Sequence, residues 1–453
     1  MFQNGYINEK IFKNELKKEL ITNLSNNFMD KNNYRLLEGF LADEIRLDLN
    51  YLFDSNFLSR GNVIINTSLD IGLQTKSNII LNNELINLDK KNNFIQPPIK
   101  SIKLIDLDTN NWKEILQNFD QQKIIPSWEI GIIAKIENNN FYLKTKNFEN
   151  LFKLHFPYLI NPTFSVGDIV YFKIEKNSGR FIYQQIPNFD GGVLILERNS
   201  NKILALNGGF SYYSSGLNMI TEKKQNLKQA LFPFFNFMTL DQEILSNFNE
   251  NEHLNSNTQK KLKNKINTDN YYNDSDLITF NKNNINELSL NLISNIKDSS
   301  LMIRDENKII FNSEMSLFDL MSYYRILLSK NLPSNIKLIE EVYTNEKKIF
   351  NLEDINQIVH KSNEIIGKNF LKNKEIVNFL NLKSFLIENF ETKSNNKNFY
   401  GWNILDEKKG FTIFIGFNNQ KIIGCYINKI NHNIIYDDSN NLKMRKKCFL
   451  NQN

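Results

Sequence analysis

The chain has 453 residues, and its 55 Lys and Arg against 50 Asp and Glu leave a net charge of only +5. This length corresponds to about three domains. The near balance of charge excludes a strongly basic nucleic-acid groove or a polybasic membrane patch, so no nucleic-acid partner is expected. Two cysteines and four histidines exclude a disulfide scaffold and disfavour a zinc site; neither a metal nor a cofactor is expected.

With 41% hydrophobic residues the chain lies outside the disordered class and can bury sizeable cores. No apolar run approaches the roughly 18 residues that a membrane span needs. Residues 1–6 lack the basic and apolar regions of a signal peptide. Taken as written, the sequence predicts a product without an export signal or an anchor, which stays in the cytoplasm.

The first half of the chain alternates between helical and strand-like patterns. Apolar residues at three- and four-residue steps predict a helix over residues 40–53, and a β-branched run predicts a strand near 62–70. A helical pattern then returns over residues 71–85. After the Pro97-Pro98 break, a series of short strand-like segments predicts a small β-barrel, its segments being 129–136, 141–144, 167–174 and 180–185.

The second half predicts one antiparallel sheet between helices, an α+β fold. A hairpin is expected over residues 192–206, followed by a polar loop or disordered excursion at 246–276. Ser316 and Asp319 are typical of a helix start, because a serine cap and an acidic first turn satisfy free backbone N–H groups. A second helix is expected at 354–366. A closing hairpin follows, with strands 411–417 and 421–427 and a turn at Asn418-Asn419.

Several short motifs, in order along the chain, resemble the transpeptidase portion of class A penicillin-binding proteins. Residues 191–210 resemble the family's opening hairpin, Q-G-A-L-V-A-L-D-P-x-T-G-x-V-x-A-L-V-G-G-F. The first letter of this family pattern, Q, falls at position 190, and its second letter, G, falls at position 191. Each further match is weak alone, but together they cover nearly the whole chain. They are residues 4–7 (D-G-Y-I), 40–46 (Y-F-V-E-x-V-R), 67–74 (T-T-L-D-x-x-L-Q), 165–170 (L-x-x-G-D-x-V), 316–320 (T-P-L-E-L) and 414–417 (F-I-G-F).

The resemblance implies the fold of the serine D,D-transpeptidases, which cross-link peptidoglycan stem peptides and are acylated by penicillin. It also implies an OB-like barrel, for which the absence of an evident basic and aromatic stripe favours a structural or protein-contact role. The expected domains are a helical linker after a missing glycosyltransferase domain (1–60), a linker strand and helix on the transpeptidase domain (61–95), the OB-like domain (96–187), the transpeptidase-like domain (188–435) and a polar tail (436–453).

The catalytic residues that the resemblance requires are replaced. The family's F-N-R-A-T-Q-A-x-R-Q-P-G-S-A-F-K-P-F aligns without a gap onto residues 217–234, where Asn218 and Thr221 match. The serine nucleophile position holds Gln229, and the lysine position, one helical turn on, holds Phe232. An amide is no nucleophile at neutral pH, and a phenyl ring accepts no proton, so no catalytic residue is predicted intact.

The other two elements of the family site are also altered. The S-x-N element aligns with residues 274–276, where both polar positions are aspartates, Asp274 and Asp276, interpreted as solvated loop residues rather than an acid pair. K-T-G is absent from the chain, and its expected place is 399–401 or 402–404. S-x-x-K occurs at Ser294/Lys297, Ser334/Lys337 and Ser394/Lys397, at none of the family positions and at the frequency expected by chance.

The leading hypothesis is a degenerate penicillin-binding protein of peptidoglycan synthesis, without acyl transfer, that acts as a binding or scaffolding module or is a relic. Two alternatives stay open: an active D,D-transpeptidase, and a non-catalytic muropeptide-binding module. The resemblance implies partners among peptidoglycan precursors and cell-wall synthesis proteins, a separately encoded glycosyltransferase portion, and a periplasmic location at the inner membrane. That location conflicts with the amino terminus as written.

Overall fold

The structure is a computed structural model, and the residues that it describes are 39–53, 57–58, 61–92, 94–103, 112–119, 125, 127–158, 162–200, 202–231, 277–281, 302–304, 308–328, 336–345, 347–351, 388–394, 397–406 and 410–430. These all fall within one unit that spans Gly39–Asn453. The predicted helix at 354–366, the polar segment 246–276, and Phe232, Asp274 and Asp276 lie outside the described residues.

The first helix packs on a small sheet. Helix α1 (Phe40–Leu52) matches the helix predicted over 40–53. Strand β1 (Val63–Thr67) confirms the predicted strand, and it pairs antiparallel with a strand from far along the chain, Ile339–Thr344. The apolar stripe of α1 is buried against this sheet, where Leu49 contacts Val342 and its neighbours in one cluster. The helical periodicity of the sequence therefore marks the face that tertiary packing uses.

Helix α2 (Ile71–Asn92) extends seven residues beyond the predicted end at 85. Asp70 caps its first turn, because its Oδ1 accepts the N–H of Leu73 at 3.0 Å. Gln74 is buried, and its side chain pairs with the backbone of Leu206, donating Nε2 to the carbonyl and accepting the N–H at Oε1, each at 2.9 Å. The segment that resembles T-T-L-D-x-x-L-Q thus fastens this helix to the neighbouring strand.

A closed five-stranded barrel follows, as the short strand-like segments predict. Its strands pair in the order β3-β4-β5-β7-β6, β6 returns to β3, and only β5 and β7 pair in parallel. A two-residue strand, β2, pairs antiparallel with the start of β6, and a short helix, α3, packs against β3 and β6. The bounds are β2 (Lys100–Ser101), α3 (Trp112–Phe119), β3 (Glu129–Glu137), β4 (Asn140–Thr145), β5 (Phe148–His155), β6 (Asp168–Ile174) and β7 (Phe181–Gln184).

The G-D pair before β6 closes the barrel wall. Gly167 has φ +99°, a backbone conformation that favours glycine, and a Cβ there would lie 2.6 Å from the carbonyl oxygen of Ile102. Asp168 accepts the N–H of Ser165 at 2.7 Å and the hydroxyl of Ser101 at 2.6 Å. Both residues of the motif therefore have structural reasons to be present.

The central sheet has six antiparallel strands in the order β17-β18-β19-β20-β8-β9. Both predicted hairpins are confirmed, and β20 joins them by pairing with β8 from Lys421↔Glu197 to Lys429↔Phe189. The bounds are β8 (Phe189–Glu197), β9 (Ile203–Asn207), β17 (Glu388–Ser394), β18 (Lys397–Asp406), β19 (Phe411–Phe417) and β20 (Lys421–Lys429).

Helices cover both faces of this sheet, so the described part of the chain has an α+β architecture. On one face, Leu81 and Leu85 of α2 pack with Val193 and Cys425; the interpretation of Cys425 as a buried core residue is confirmed. On the other face lies α5 (Leu317–Leu328), where Gly424 gives room to Met321, because a Cβ at 424 would lie 2.6 Å from its Sδ.

Shorter elements complete the described part. Helix α4 (Tyr212–Ser215) follows β9, and a 3-10 turn (Lys228–Leu231) follows β10 (Gln225–Asn226). The later strands are β11 (Leu277–Asn281), β12 (Met302–Arg304), β13 (Lys308–Asn312), β14 (Glu314–Met315), β15 (Ile339–Thr344) and β16 (Lys347–Asn351). Strands β11, β13 and β12 form one small sheet, and β10 pairs with β14.

Two details differ from the sequence prediction. Strand β5 was not among the predicted segments, although Phe152 and Leu154 alternate with polar residues in the pattern of a half-buried strand. The turn of the closing hairpin is shifted by one residue from Asn418-Asn419. Asn418 is the first corner of a four-residue turn, and its Oδ1 accepts the N–H groups of Gln420 and Lys421 at 2.8 and 2.7 Å.

Candidate functional site

Residues 225–231, called the site segment below, include the position aligned with the family nucleophile. Gln225 pairs with Met315 across β10 and β14, and the Leu227 N–H donates to the carbonyl of Ser313 at 2.8 Å. The chain then turns into the 3-10 turn, in which Leu231 N–H reaches the Leu227 carbonyl at 3.2 Å. Position 229 therefore lies in the first turn of a short helical element that follows a strand.

Two side chains hold the site segment between α5 and the central sheet. The Tyr324 hydroxyl donates to the carbonyl of Ala230, so α5 is attached to the 3-10 turn. The Gln225 amide donates to the hydroxyl of Tyr426 on β20. Sequence reasoning missed Tyr426 and Gln225 as partners, because they are 201 residues apart and no local pattern connects them.

Helix α5 begins as the sequence predicts. The Ser316 Oγ accepts the N–H of Asp319 at 3.1 Å, and Asp319 Oδ2 accepts the N–H of Ser316 at 2.9 Å. This reciprocal pair is a capping box, which satisfies two backbone donors at the start of the helix. The cap fixes where α5 begins. It therefore also fixes the position along the helix axis at which Tyr324 contacts the site segment.

The backbone pairings bring the start of β11 close to the site segment. Leu277, the first residue after the aligned S-x-N positions, pairs with Asn312. Asn312 is the last residue of β13, and the residue after it, Ser313, is the one whose carbonyl accepts the N–H of Leu227. Asp274 and Asp276 themselves, and the Ser294/Lys297 pair, lie outside the described residues.

Strand β18 contains both places where K-T-G is expected. Gly401 lies opposite Gly416, and Ile404 opposite Ile413, which in turn lies opposite Tyr426. Adjacent strands are about 4.8 Å apart, so position 404 lies roughly 10 Å along the sheet from the tyrosine that contacts the site segment. Within the described residues, the start of β11 and strand β18 therefore both lie near the elements that contact the site segment.

The positions that match the family in residues 217–221 make structural contacts with α1. Asn218 donates Nδ2 to Glu44 Oε1 at 2.8 Å, and the Thr221 hydroxyl donates to the same oxygen. Burial raises the pKa of the Glu44 carboxyl above its ordinary value, while the hydrogen bond from Thr221 lowers it. These two matches are thus explained by packing of the loop on α1, without any chemistry.

Other serine–lysine pairs have different surroundings. Lys337 lies with its Nζ 3.5 Å from Asp48 Oδ1 and 4.8 Å from the ring centre of Tyr51, on the side of α1, whereas Ser334 lies outside the described residues. Ser394 and Lys397 pair at the closed end of the β17–β18 hairpin, remote in register from position 404. Within the described ranges, no group of three or more His, Cys, Asp or Glu side chains could hold a metal ion.

In the sequence alignment, the family nucleophile position falls on Gln229. The described hydrogen bonds of the site segment come from its backbone and from the side chain of Gln225. An amide does not form an acyl-enzyme under ordinary conditions. The side chain of Gln229 lies outside what the structure describes.

Comparisons with known proteins agree with the fold. No protein-family model matches the chain. Penicillin-binding protein 1A of Rickettsia prowazekii is 20% identical over 231 residues, which are 49% of this chain and 28% of that protein. The corresponding protein of Rickettsia typhi is 20% identical over 234 residues, with the same shares. The match thus spans less than a third of the length of these curated relatives.

A solved structure extends the likeness to almost the whole chain. Penicillin-binding protein 1A from Haemophilus influenzae superposes with a TM-score of 0.58 at 12% sequence identity, covering 97% of this chain and 72% of that one. The fold is therefore that of a penicillin-binding protein. The sequence matches and the fold thus agree that this chain is similar to penicillin-binding protein 1A.

Proposed function

We propose that this chain is a non-catalytic penicillin-binding-protein homologue that binds or positions components of peptidoglycan synthesis. One observation carries the proposal: the site segment is held by β14, α5 and β20, yet its nucleophile position is Gln229. A framework that persists without its reacting group is what a binding or scaffolding role requires. It is not sufficient for acyl transfer.

The chemistry of the substitutions supports the same proposal. Acyl transfer needs a hydroxyl that attacks a carbonyl and a nearby base that takes its proton. At the aligned positions, Gln229 offers an amide and Phe232 a hydrocarbon ring. Removal of a nucleophile or its base lowers turnover by about 10⁴-fold or more, and the two losses act on one step. Replacement of the S-x-N polar residues by Asp274 and Asp276 removes the neutral groups that would relay protons.

Covalent labelling tests this proposal directly. The chain is incubated with a fluorescent penicillin, and adducts are detected by gel fluorescence and intact-mass spectrometry. An active class A penicillin-binding protein is the positive control, and heat-denatured chain is the negative control. We expect no mass increase on the folded chain. A stoichiometric adduct mapped to any serine, including Ser294, Ser334 or Ser394, would establish the active transpeptidase alternative instead.

Binding without turnover separates the remaining roles. Muropeptides are titrated into the chain and monitored by calorimetry, with the products checked by mass spectrometry. Saturable binding with unchanged peptides supports a muropeptide-binding module. If the chain binds none of them, the scaffolding or relic form of the proposal remains.

We also propose that residues 96–187 form an OB-like domain inserted before a transpeptidase-like domain at 188–435, with linkers at 1–60 and 61–95 and a tail at 436–453. The order of the strands around the barrel is β3-β4-β5-β7-β6, so the fifth barrel strand lies between the third and the fourth. This order supports the OB-like assignment. The parallel pairing of its third and fifth strands supports it further.

The homology supports a place on the periplasmic side of the inner membrane, beside cell-wall synthesis proteins. None of the helices that the structure describes combines the length and apolar character needed to cross a membrane. Fractionation of cells that express the tagged chain tests the location. Recovery in the periplasmic or membrane fraction supports the proposal, and recovery only with cytoplasmic markers contradicts it.

A further inference from the structure

The two connections between the barrel and the rest of the chain cross beside one buried carboxylate. The chain leaves α2, passes through residues 94–99 into the barrel, and returns through residues 185–188 into β8. Asp89, in the last turn of α2, lies at this crossing and is only 1% exposed. A buried carboxylate is costly unless hydrogen bonds compensate for the lost water, so its partners decide what it does.

Both oxygens of Asp89 accept two hydrogen bonds each. Oδ2 accepts the Tyr158 hydroxyl at 3.1 Å and the Gln185 amide at 2.6 Å, both from the barrel side. Oδ1 accepts the backbone N–H of Asn188 at 2.9 Å and its side-chain amide at 3.1 Å. One carboxylate therefore connects α2, the end of the barrel and the segment that leads into the central sheet.

The same partners also hold the incoming connection. Gln185 Oε1 accepts the N–H of Gln96 at 2.9 Å and the Tyr183 hydroxyl at 3.0 Å. Gln96 Nε2 donates to the carbonyl of Ile186 at 2.7 Å and to Asn188 Oδ1 at 3.2 Å. The Asn188 carbonyl accepts the N–H of Ile430, just beyond β20, at 2.8 Å. Incoming and outgoing connections are thus bonded to each other as well as to Asp89.

An apolar contact at Trp128 accompanies this polar cluster. Trp128, at the start of β3, belongs to the buried cluster of α2 and the central sheet. Its ring centre lies 5.7 Å from that of Phe210, beyond β9, and 5.8 Å from that of Tyr171 in β6. The barrel consequently shares buried surface with the central sheet as well as hydrogen bonds.

We propose that Asp89 locks the barrel to the α2–sheet unit, so that the two open and close as one cooperative body. This inference does not depend on whether the chain transfers acyl groups. A carboxylate is required for the lock, because all four partners donate. An Asp89→Asn change keeps the shape of the side chain but replaces one of its two acceptor oxygens by an amide NH₂. The two donors that face this NH₂ then lose their hydrogen bonds to residue 89.

Native-state hydrogen exchange of the full chain tests the lock. The wild-type barrel strands β3–β7 and the sheet strands β8 and β20 should exchange through a common opening. In Asp89→Asn, peptides from the barrel and from residues 94–99 should exchange at least about tenfold faster, while β8 and β20 stay within about twofold of wild type. The amide hydrogens of Gln96 and Asn188 report the crossing itself.

Glu84→Gln is the matched control, since it removes a carboxylate of the same helix that accepts a hydrogen bond from Asn87, one turn further along that helix; it should leave barrel exchange unchanged. If Asp89→Asn does not fold, Tyr158→Phe removes one donor from the cluster and should give a smaller acceleration confined to the barrel. The proposal is overturned if the wild-type barrel already opens independently of the sheet. Equal acceleration of barrel and sheet in the variant, or no acceleration, overturns it as well.

Discussion

The segment 67–74 on the edge of the central sheet and the site segment 225–231 are both held in place by hydrogen bonds, but they differ in what their side chains do. In the first, Ser68 donates to the Ile203 carbonyl at 2.7 Å and Gln74 pairs with Leu206, so the side chains that match the family are the structural contacts. In the second, the described bonds are made by the Ala230 carbonyl with Tyr324 and by the Gln225 side chain with Tyr426, and the position aligned with the family nucleophile is Gln229.

The difference teaches that a fold and its reaction depend on separate sets of atoms. Segment 67–74 cannot lose Gln74 without leaving buried backbone groups unpaired. The described bonds that hold the site segment come from the backbone of residues 227 and 230 and from the side chain of Gln225. Three predictions test this contrast, beginning with the largest expected effect.

Gln74→Ala should be strongly destabilising. The change removes the bonds to Leu206 and a further 2.8 Å bond from Nε2 to Asn207, and it leaves buried backbone groups without partners. The expected loss is about 3–5 kcal/mol in the free energy of unfolding. Urea denaturation followed by circular dichroism measures it.

Asn83→Ala, an exposed substitution on the same helix, is the control and should stay within about 0.5 kcal/mol of wild type. A Gln74→Ala variant that is equally close to wild type would show that this side chain does not fasten α2 to β9.

Asp190→Asn should stabilise the protein at neutral pH. Burial raises the pKa of Asp190 from 3.8 to about 6, against the hydrogen bonds that its Oδ1 accepts from the N–H groups of Phe210 and Gly191. Between these two pKa values the folded state holds a proton that the unfolded state has released, so stability falls as pH rises through this window. An asparagine keeps an acceptor for both N–H groups and carries no charge.

The gain in the variant should be about 2–3 kcal/mol at pH 7.5 and much smaller at pH 4, and urea denaturation at both pH values measures it. Comparison with wild type at each pH cancels the titration of all other groups. A difference that is the same at both pH values would mean that the Asp190 carboxyl has no raised pKa in the folded state.

Tyr324→Phe should have the smallest effect and a local one. It removes the hydroxyl that donates to the Ala230 carbonyl, at an expected cost of about 1–2 kcal/mol. Hydrogen exchange should accelerate in a peptide that spans residues 225–231 and remain unchanged in β9. Tyr142→Phe, in barrel strand β4, serves as the control. Acceleration in β9 as large as in the site segment would contradict the separation of the two regions.

Local patterns predicted much of the secondary structure. The helix over residues 40–53 follows from apolar spacing, the cap of α5 from Ser316 and Asp319, and the closing hairpin from two β-rich runs around a polar turn. These features depend on contacts between residues a few positions apart. Strand β5 shows the limit, because a short alternating run next to a tight turn is easily assigned to a loop.

Long-range partners could not be predicted in the same way. Nothing near Tyr426 indicates Gln225, and nothing near Asp89 indicates Asn188, 99 residues away. The bonds of the barrel crossing join segments that are 69 to 99 residues apart in the sequence. Sequence reasoning therefore found the elements around the candidate site without finding the side chains that hold them.

The sequence by itself determined which side chains stand at the positions aligned with the family motifs, an amide at 229 and a phenyl ring at 232, and that K-T-G is absent from the chain, because side-chain identity does not depend on folding. It also determined the local elements, whose periodicity and caps act over a few residues. Only the tertiary structure decided that β20 joins the two hairpins, that Tyr324 of α5 contacts the site segment at Ala230, and that Asp89 receives four donors. Those outcomes require burial and geometry shared by distant segments, which no local pattern encodes.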